Sequence, residues 1–387
     1  MRRPGPAWLI TALLLAVVAW LVADRDDRKD PRSASAWEVA DLLGGQEPGF
    51  DRVTGSGPFT FPRDHGPHPG YRHEWWYLTG HLADADGRRY GFQWTLFRFG
   101  LTADLPDVPR PSAWRSDAIY MAHFAVTDVA DGRFHAAERF ARPALGLAGA
   151  RAVPFAAWLG PWRLSAATGA AFPWRLEAAD DGVALDVRLV PTKPVIAQGD
   201  DGTSRKGPGP GNASRYYTLP RLAVEGTLHL AGERRAVTGS AWLDREWGSS
   251  ALGPGVVGWD WFGLQLDDGR DLMLYRLRRA DGTTDPFSGG SLVGHAGRKA
   301  PLAAADFSIE VRERWRAPDG VAYPSRWRVR VPAHGLDLDV RPVLAAQELR
   351  LAVRYWEGAV EVGGSVGGRG YAELTGYAES GGAAPPR

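Results

Sequence analysis

The 387-residue sequence predicts an all-β fold: two barrels or sandwiches packed together, preceded by an apolar helix. Three observations carry this expectation. Aromatic runs of strand type flank Asp-Gly turns, the mark of tight antiparallel hairpins. The same run–turn–run pattern returns about 185 residues later, as two copies of one fold would leave it. Glycine (48 residues) and proline (29 residues) both exceed average usage of roughly 7% and 5%, which suits short strands and breaks long helices.

At the N-terminus, Arg2 and Arg3 precede an apolar run from Ala7 to Ala23, followed by the charged string Asp24–Asp30. As a helix this run spans ~25 Å, the lower limit for a bilayer core and long for a signal-peptide h-region. Residues 1–23 therefore read as a signal peptide or a membrane anchor. Both place the remainder in the periplasm or another extracytoplasmic space, secreted or tethered to the inner membrane by residues 7–23. Residues 24–50 read as a linker.

The first hairpin pairs His73–Leu82 with Tyr90–Phe99 across Asp84-Ala-Asp-Gly87. Glu74, Trp76, Leu78, Gly80 and Leu82 share one strand face; His73, Trp75, Tyr77, Thr79 and His81 share the other. Aromatics on both faces suit a strand that lines a cavity on one side and packs on the other. Residues 136–152 are alanine-rich, but Pro143, Gly146 and Gly149 leave room only for short helical turns. Gly199–Asn212 reads as a flexible loop without core residues. The second hairpin pairs Trp259–Leu266 with Asp271–Leu277 across an Asp-Gly turn. Trp327–Val331, Leu336–Val340 and Tyr371–Tyr377 alternate as later strands. The barrels are accordingly expected at residues 51–231 and 232–380, with a tail at 381–387. Small barrels often enclose an apolar ligand, and 17 tryptophans could line such an interior.

Composition excludes several functions. Lysine plus arginine (46) nearly balances aspartate plus glutamate (45), without the basic excess that nucleic-acid binding requires. Absence of cysteine removes disulfides, thiolate metal sites and a cysteine nucleophile. The histidines His65, His68 and His73 do not have helical metal-site spacing, because Pro67 and Pro69 forbid a helix there. No P-loop, dinucleotide fingerprint or serine nucleophile elbow occurs, and Ser240 in Gly239-Ser-Ala-Trp does not supply one. No cofactor and no metal are expected.

The candidate chemistry lies in carboxylates. Asp244 and Glu246 alternate onto one face, close enough to share a proton or one cation. Asp260 shares a face with Phe262, Leu264 and Leu266. It must either pair with an arginine such as Arg245 or Arg276, or keep its proton and act as a general acid. Glu74 has the same profile, with Arg98 on the opposite hairpin strand as its natural partner. His123 reads as a packed strand histidine able to face a cavity.

Five aromatic motifs, His73–Gly80, Ala241–Gly248, Gly258–Phe262, Tyr355–Gly358 and Gly370–Tyr377, resemble the AttH/CrtC lipocalin-like family over roughly residues 50–378. That family joins AttH-type predicted secreted hydrolases, often found with ABC-transporter components, to the carotenoid 1,2-hydratases. The resemblance implies two lipocalin-like (calycin-type) antiparallel barrels. It also implies a site near Asp244–Trp247, where the hydratases place theirs. Asp244, Trp247 and Tyr275 match the hydratase pattern, whereas Arg245 replaces its histidine and Leu277 its proton-donating acid. Leucine cannot protonate an alkene, so the AttH-type branch fits better.

The expectation is an exported protein that binds a lipophilic small molecule, alongside ABC-transporter components. The alternative is a hydratase- or hydrolase-type enzyme on a lipophilic or isoprenoid, carotenoid-like substrate. The acid–base candidates are Asp244, Glu246, Asp260 and Tyr275. Glu74, Trp76, Arg98, His123, Arg245, Trp247, Trp259 and Trp261 are the candidate ligand contacts.

Overall fold

The computed structural model describes residues 48–103, 116–250 and 252–378, together with the backbone of Trp37–Glu38. The expected apolar helix at residues 7–23 and the tail at 381–387 lie outside the described residues. Within them the chain is all-β, in two antiparallel sheets that each curl into a near-barrel lobe. Helix is confined to three-residue 3₁₀ turns, one of them at Ala144–Gly146, where proline and glycine break the alanine-rich stretch.

In the first sheet, strand Arg133–Ala141 is followed in order by Ala118–Asp128, Arg89–Gly100, His73–Asp84, Glu233–Gly248 and Ala213–Leu230. Val183–Pro191, Trp174–Asp180, Trp162–Ala166, Phe155–Leu159 and Ala148–Ala152 complete the path. The second sheet runs from Lys299–Ala303 through Gly289–Val293, Asp271–Arg279, Val256–Leu266, Gly368–Leu374 and Val353–Gly364. It ends with Leu336–Pro342, Ala322–Val331 and Ser308–Arg316. Both sequence-read hairpins form, with Trp75 opposite Phe97 in one and Trp261 opposite Tyr275 in the other.

The lobe boundary differs from the sequence reading at 231/232. That position falls in the turn between Ala213–Leu230 and Glu233–Gly248, two strands paired throughout their lengths in the first sheet. The chain crosses to the second sheet between Gly248 and Val256. A fresh run of strand signals marks a new strand, but pairing partners decide the lobe.

A second correction concerns the barrel interiors, which are filled with large side chains. Trp76, Phe92, Trp94, Phe124 and Trp162 pack inside the first lobe, and Phe262, Trp327 and Trp356 inside the second. Burial of this kind gives the hydrophobic drive of each lobe, at about 1.5–3 kcal/mol for a fully buried large apolar side chain.

Strand alternation sends the other set of side chains outward, and there the two lobes meet. Tyr77, Tyr216 and Trp242 from the first sheet pack against Trp261, Met273, Ala359 and Tyr371 from the second. Gly91 permits this approach: a Cβ there would stand 2.6 Å from the Tyr371 hydroxyl and 2.9 Å from the Ala359 Cβ. Polar contacts stitch the same seam. His81 Nε2 bonds the Gly370 carbonyl at 2.8 Å, and Gln265 Nε2 donates to the carbonyls of Pro220 and Ala241. Lys193 and Arg221 both reach Asp271, at 2.5 and 2.8 Å.

Candidate functional site between the two lobes

A cavity opens within this seam. Its first wall comes from His73, Trp75 and Tyr77 on one strand, Asp244 and Glu246 on the neighbouring strand, and Ser214 and Tyr216 on the next. Facing them are Trp259 and Trp261, Tyr275 and Leu277, and Glu373, from three strands of the second sheet. The alternation read from sequence explains the selection. In Trp259–Leu266 the odd positions face the cavity, and in Ala241–Gly248 the even ones do.

Asp244 is the most completely held of the pocket acids. Tyr216 donates to its Oδ2 at 2.5 Å; the Thr218 hydroxyl and the Trp242 indole donate to its Oδ1 at 2.6 and 2.9 Å. Burial nevertheless dominates these bonds, and with the nearby Glu246 charge it raises the carboxyl pKa to about 7. The group therefore exchanges a proton near neutrality.

Glu246 binds the Ser214 hydroxyl and lies 3.0 Å from Lys206. Burial opposes the charge on Lys206, but Glu246, Tyr275 and Asp244 outweigh it and raise its pKa. The ammonium also stands 4.8 Å from the centre of the Tyr275 ring. Glu373 accepts the Trp259 indole N–H at 3.0 Å; burial first, then the charges of Asp244 and Glu246, raise its pKa. His73 is kept neutral, its pKa pulled to about 3 by burial and then by Arg72.

Five candidates thus reach the cavity: Asp244, Glu246, Trp259, Trp261 and Tyr275, and Leu277 lines it beside them. The others stand elsewhere. Asp260 points into the second lobe, where Arg276 and Arg278 pair with it and Tyr377 donates to it at 2.8 Å. Its partner is Arg276 rather than Arg245, because the two strands of the second hairpin place residues 260 and 276 opposite each other. Glu74, Trp76, Arg98, Arg245 and Trp247 lie on the inward face of the first lobe. Glu74 pairs there with Arg245 and, at 3.3 Å, with Arg98. His123 is on the seam but outside the cavity wall, bonded to Tyr355 at 2.7 Å and Glu138 at 3.0 Å. Around the cavity, then, the candidates split by strand face: one face meets the cavity, the other keeps the fold.

Sequence reading missed Glu373 and Lys206. Glu373 carried a usable signal, since alternation places it on the face of Tyr371 within an aromatic motif. Lys206 carried none. The glycine- and proline-rich loop around it reads as solvated, yet the loop folds back through Lys206 N–H to Asn212 O and delivers the side chain to Glu246. The described residues contain no group of three or more His, Asp or Glu arranged to hold a metal ion.

Comparison with known proteins agrees with this architecture. The AttH-like family matches residues 52–377. A crystal structure of an AttH candidate from Nitrosomonas europaea is 34% identical, covers 85% of this chain and 100% of its own, and superposes with a TM-score of 0.76. Kievitone hydratase from Nectria haematococca shares the fold at 17% identity and TM-score 0.62, over 84% of this chain and 98% of its own. No curated protein matches the sequence. With the family matched across nearly all the described residues and its two near-barrel lobes in place, the chain belongs to the AttH-like family.

Proposed function

We propose that the chain holds a lipophilic small molecule between its lobes. The observation that carries this reading is a cavity walled by Trp75, Trp259, Trp261 and Phe97, with carboxyl groups at only a few points. Large flat apolar surfaces broken by a few placed polar groups are the usual composition of a small-molecule site. About 110 Å³ is open to the centre of a water-sized sphere. One water needs roughly 10–15 Å³ on this measure, so the space suits a small ring system or a segment of a longer chain.

A second reading, acid–base turnover of that molecule, is favoured by Asp244. A carboxyl titrating near neutrality beside an apolar cavity can give a proton to a substrate and take one back from added water. Tyr216 would orient it. In this reading Asp244 replaces the acid that Leu277 cannot supply. The apolar run at residues 7–23 and the AttH-type resemblance support work outside the cytoplasm, beside an ABC transporter, with the leader cleaved or retained.

The test is a titration of intrinsic tryptophan fluorescence with the neutral probe phenylnaphthylamine. Saturable quenching is expected, weakened about tenfold by Trp261→Ala, corresponding to ~1.4 kcal/mol of lost contact. Quenching that never saturates, or that Trp259→Ala and Trp261→Ala both leave unchanged, refutes a ligand seat here.

A further inference from the structure

Behind the pocket wall lies a second carboxyl, Glu357, which the proposed chemistry leaves unused. It stands directly opposite Glu373 in the antiparallel pairing of Val353–Gly364 with Gly368–Leu374. Cross-strand partners on one face have Cβ atoms roughly 4.5–5.5 Å apart, a separation at which like charges repel. Glu357 is 2% exposed, and among the described residues the only groups that approach its carboxyl are neutral hydroxyls such as that of Tyr77.

The surroundings offer no counter-charge. Tyr355 on its own strand, and Tyr77 and Tyr371 from other strands, approach Glu357, while Asp244 and Glu246 face Glu373. Among the described residues Lys206 is the one cation lining the cavity, and it is engaged by Glu246. With His123 Nε2–H donating to Glu138, His123 Nδ1 accepts from the Tyr355 hydroxyl, which also receives Gln93 Nε2 at 2.9 Å. An ionised carboxylate is costly to bury without a cation, even where a hydroxyl such as that of Tyr77 can reach it. Two of them face to face are costlier still.

We propose that Glu357 and Glu373 form a proton-holding carboxyl pair at the pocket wall, which selects neutral lipophilic ligands bearing an oxygen acceptor and rejects carboxylate anions. Glu373 presents the proton to the cavity, and Glu357 prevents its loss by making a second negative charge unfavourable. The selection rests on the ligand seat proposed above, whereas the pairing does not. Burial raises the pKa of both groups; the charge of Glu373 raises that of Glu357 further, and the charges of Asp244 and Glu246 raise that of Glu373.

The pairing is read without any ligand. The Trp259 indole N–H bonds Glu373, so its NMR resonance, assigned with Trp259→Phe, reports ionisation of that carboxyl. A transition well above the ordinary glutamate value of about 4.3 is expected, lost in Glu373→Gln and moved at least one unit toward acid in Glu357→Gln. The half-buried Glu361, paired with Arg89 further along the strand, serves as control, and Glu361→Gln should leave the transition in place. A transition at the ordinary value, or one indifferent to Glu357→Gln, overturns the pair.

Selection is read with two naphthalene probes of similar size. Acetylnaphthalene should bind at least tenfold more tightly than naphthoate at neutral pH, and Glu373→Gln should narrow that gap. Equal binding of both probes by the wild type overturns the selection. Failure of both probes and of phenylnaphthylamine overturns the seat and the selection together, while the indole titration still decides the pair.

Discussion

Replacing Arg245 by alanine should destabilise the protein by about 3–5 kcal/mol, the cost of breaking a buried ion pair and leaving buried carbonyls without their donor. Arg245 is fully buried. Its guanidinium pairs with Glu74, donates to the carbonyls of Gly66, Trp75 and Glu246, and lies 3.8 Å from the centre of the Trp76 ring. Once it is gone, Glu74 keeps Arg98 at 3.3 Å, and the backbone N–H of His68, while three carbonyls lose a donor. Urea unfolding measures the loss, with Arg175→Ala as comparison. Arg175 pairs with Asp186 on the surface, and its removal should cost no more than about 1 kcal/mol. A loss below that value for Arg245→Ala would show that the inward ion cluster is not what holds this end of the lobe.

The second large effect depends on pH and comes from Asp244. Its carboxyl keeps a proton up to about pH 7 in the folded chain, against about 3.9 when unfolded. The native state therefore binds the extra proton between these values. The stabilisation is complete below pH ~4, falls as pH rises toward 7, and is fully lost above it. Asp244→Asn should flatten this slope and gain about 2–4 kcal/mol relative to wild type by pH 8, less whatever its amide loses against Tyr216, Thr218 and Trp242. Urea midpoints at pH 5 and pH 8 decide the matter. An unchanged slope in the variant would mean that Asp244 is already ionised in the fold.

The fold was legible because hairpin chemistry is local. Asp-Gly turns and aromatic alternation set both central hairpins to within a few residues of their observed ends: His73–Leu82 extends to Asp84, and Trp259–Leu266 begins at Val256. Alternation also sorted Trp75 and Tyr77 away from Glu74 and Trp76. It could not say which set faces a barrel interior, since both are aromatic, and that ambiguity put the expected cavity inside the lobes. Asp260 shows the same limit from another side: an acid on an apolar face calls for a partner, and only strand register reveals Arg276. Register likewise conceals the Glu357–Glu373 pairing, which joins two motifs that look unremarkable when read singly. Lys206 depended on the path of an irregular loop, for which sequence carries no periodic signal.

Alternating placement has a further consequence for how such a protein changes over generations. Neighbouring residues along one strand answer to different demands: Arg245 and Trp247 to durability, Asp244 and Glu246 to the shape and charge of the cavity in the seam. Exchanges at cavity-facing positions, such as the leucine at 277, can reshape the cavity while the paired residues beneath remain undisturbed. A scaffold divided in this way is free to explore new chemistry without first risking collapse.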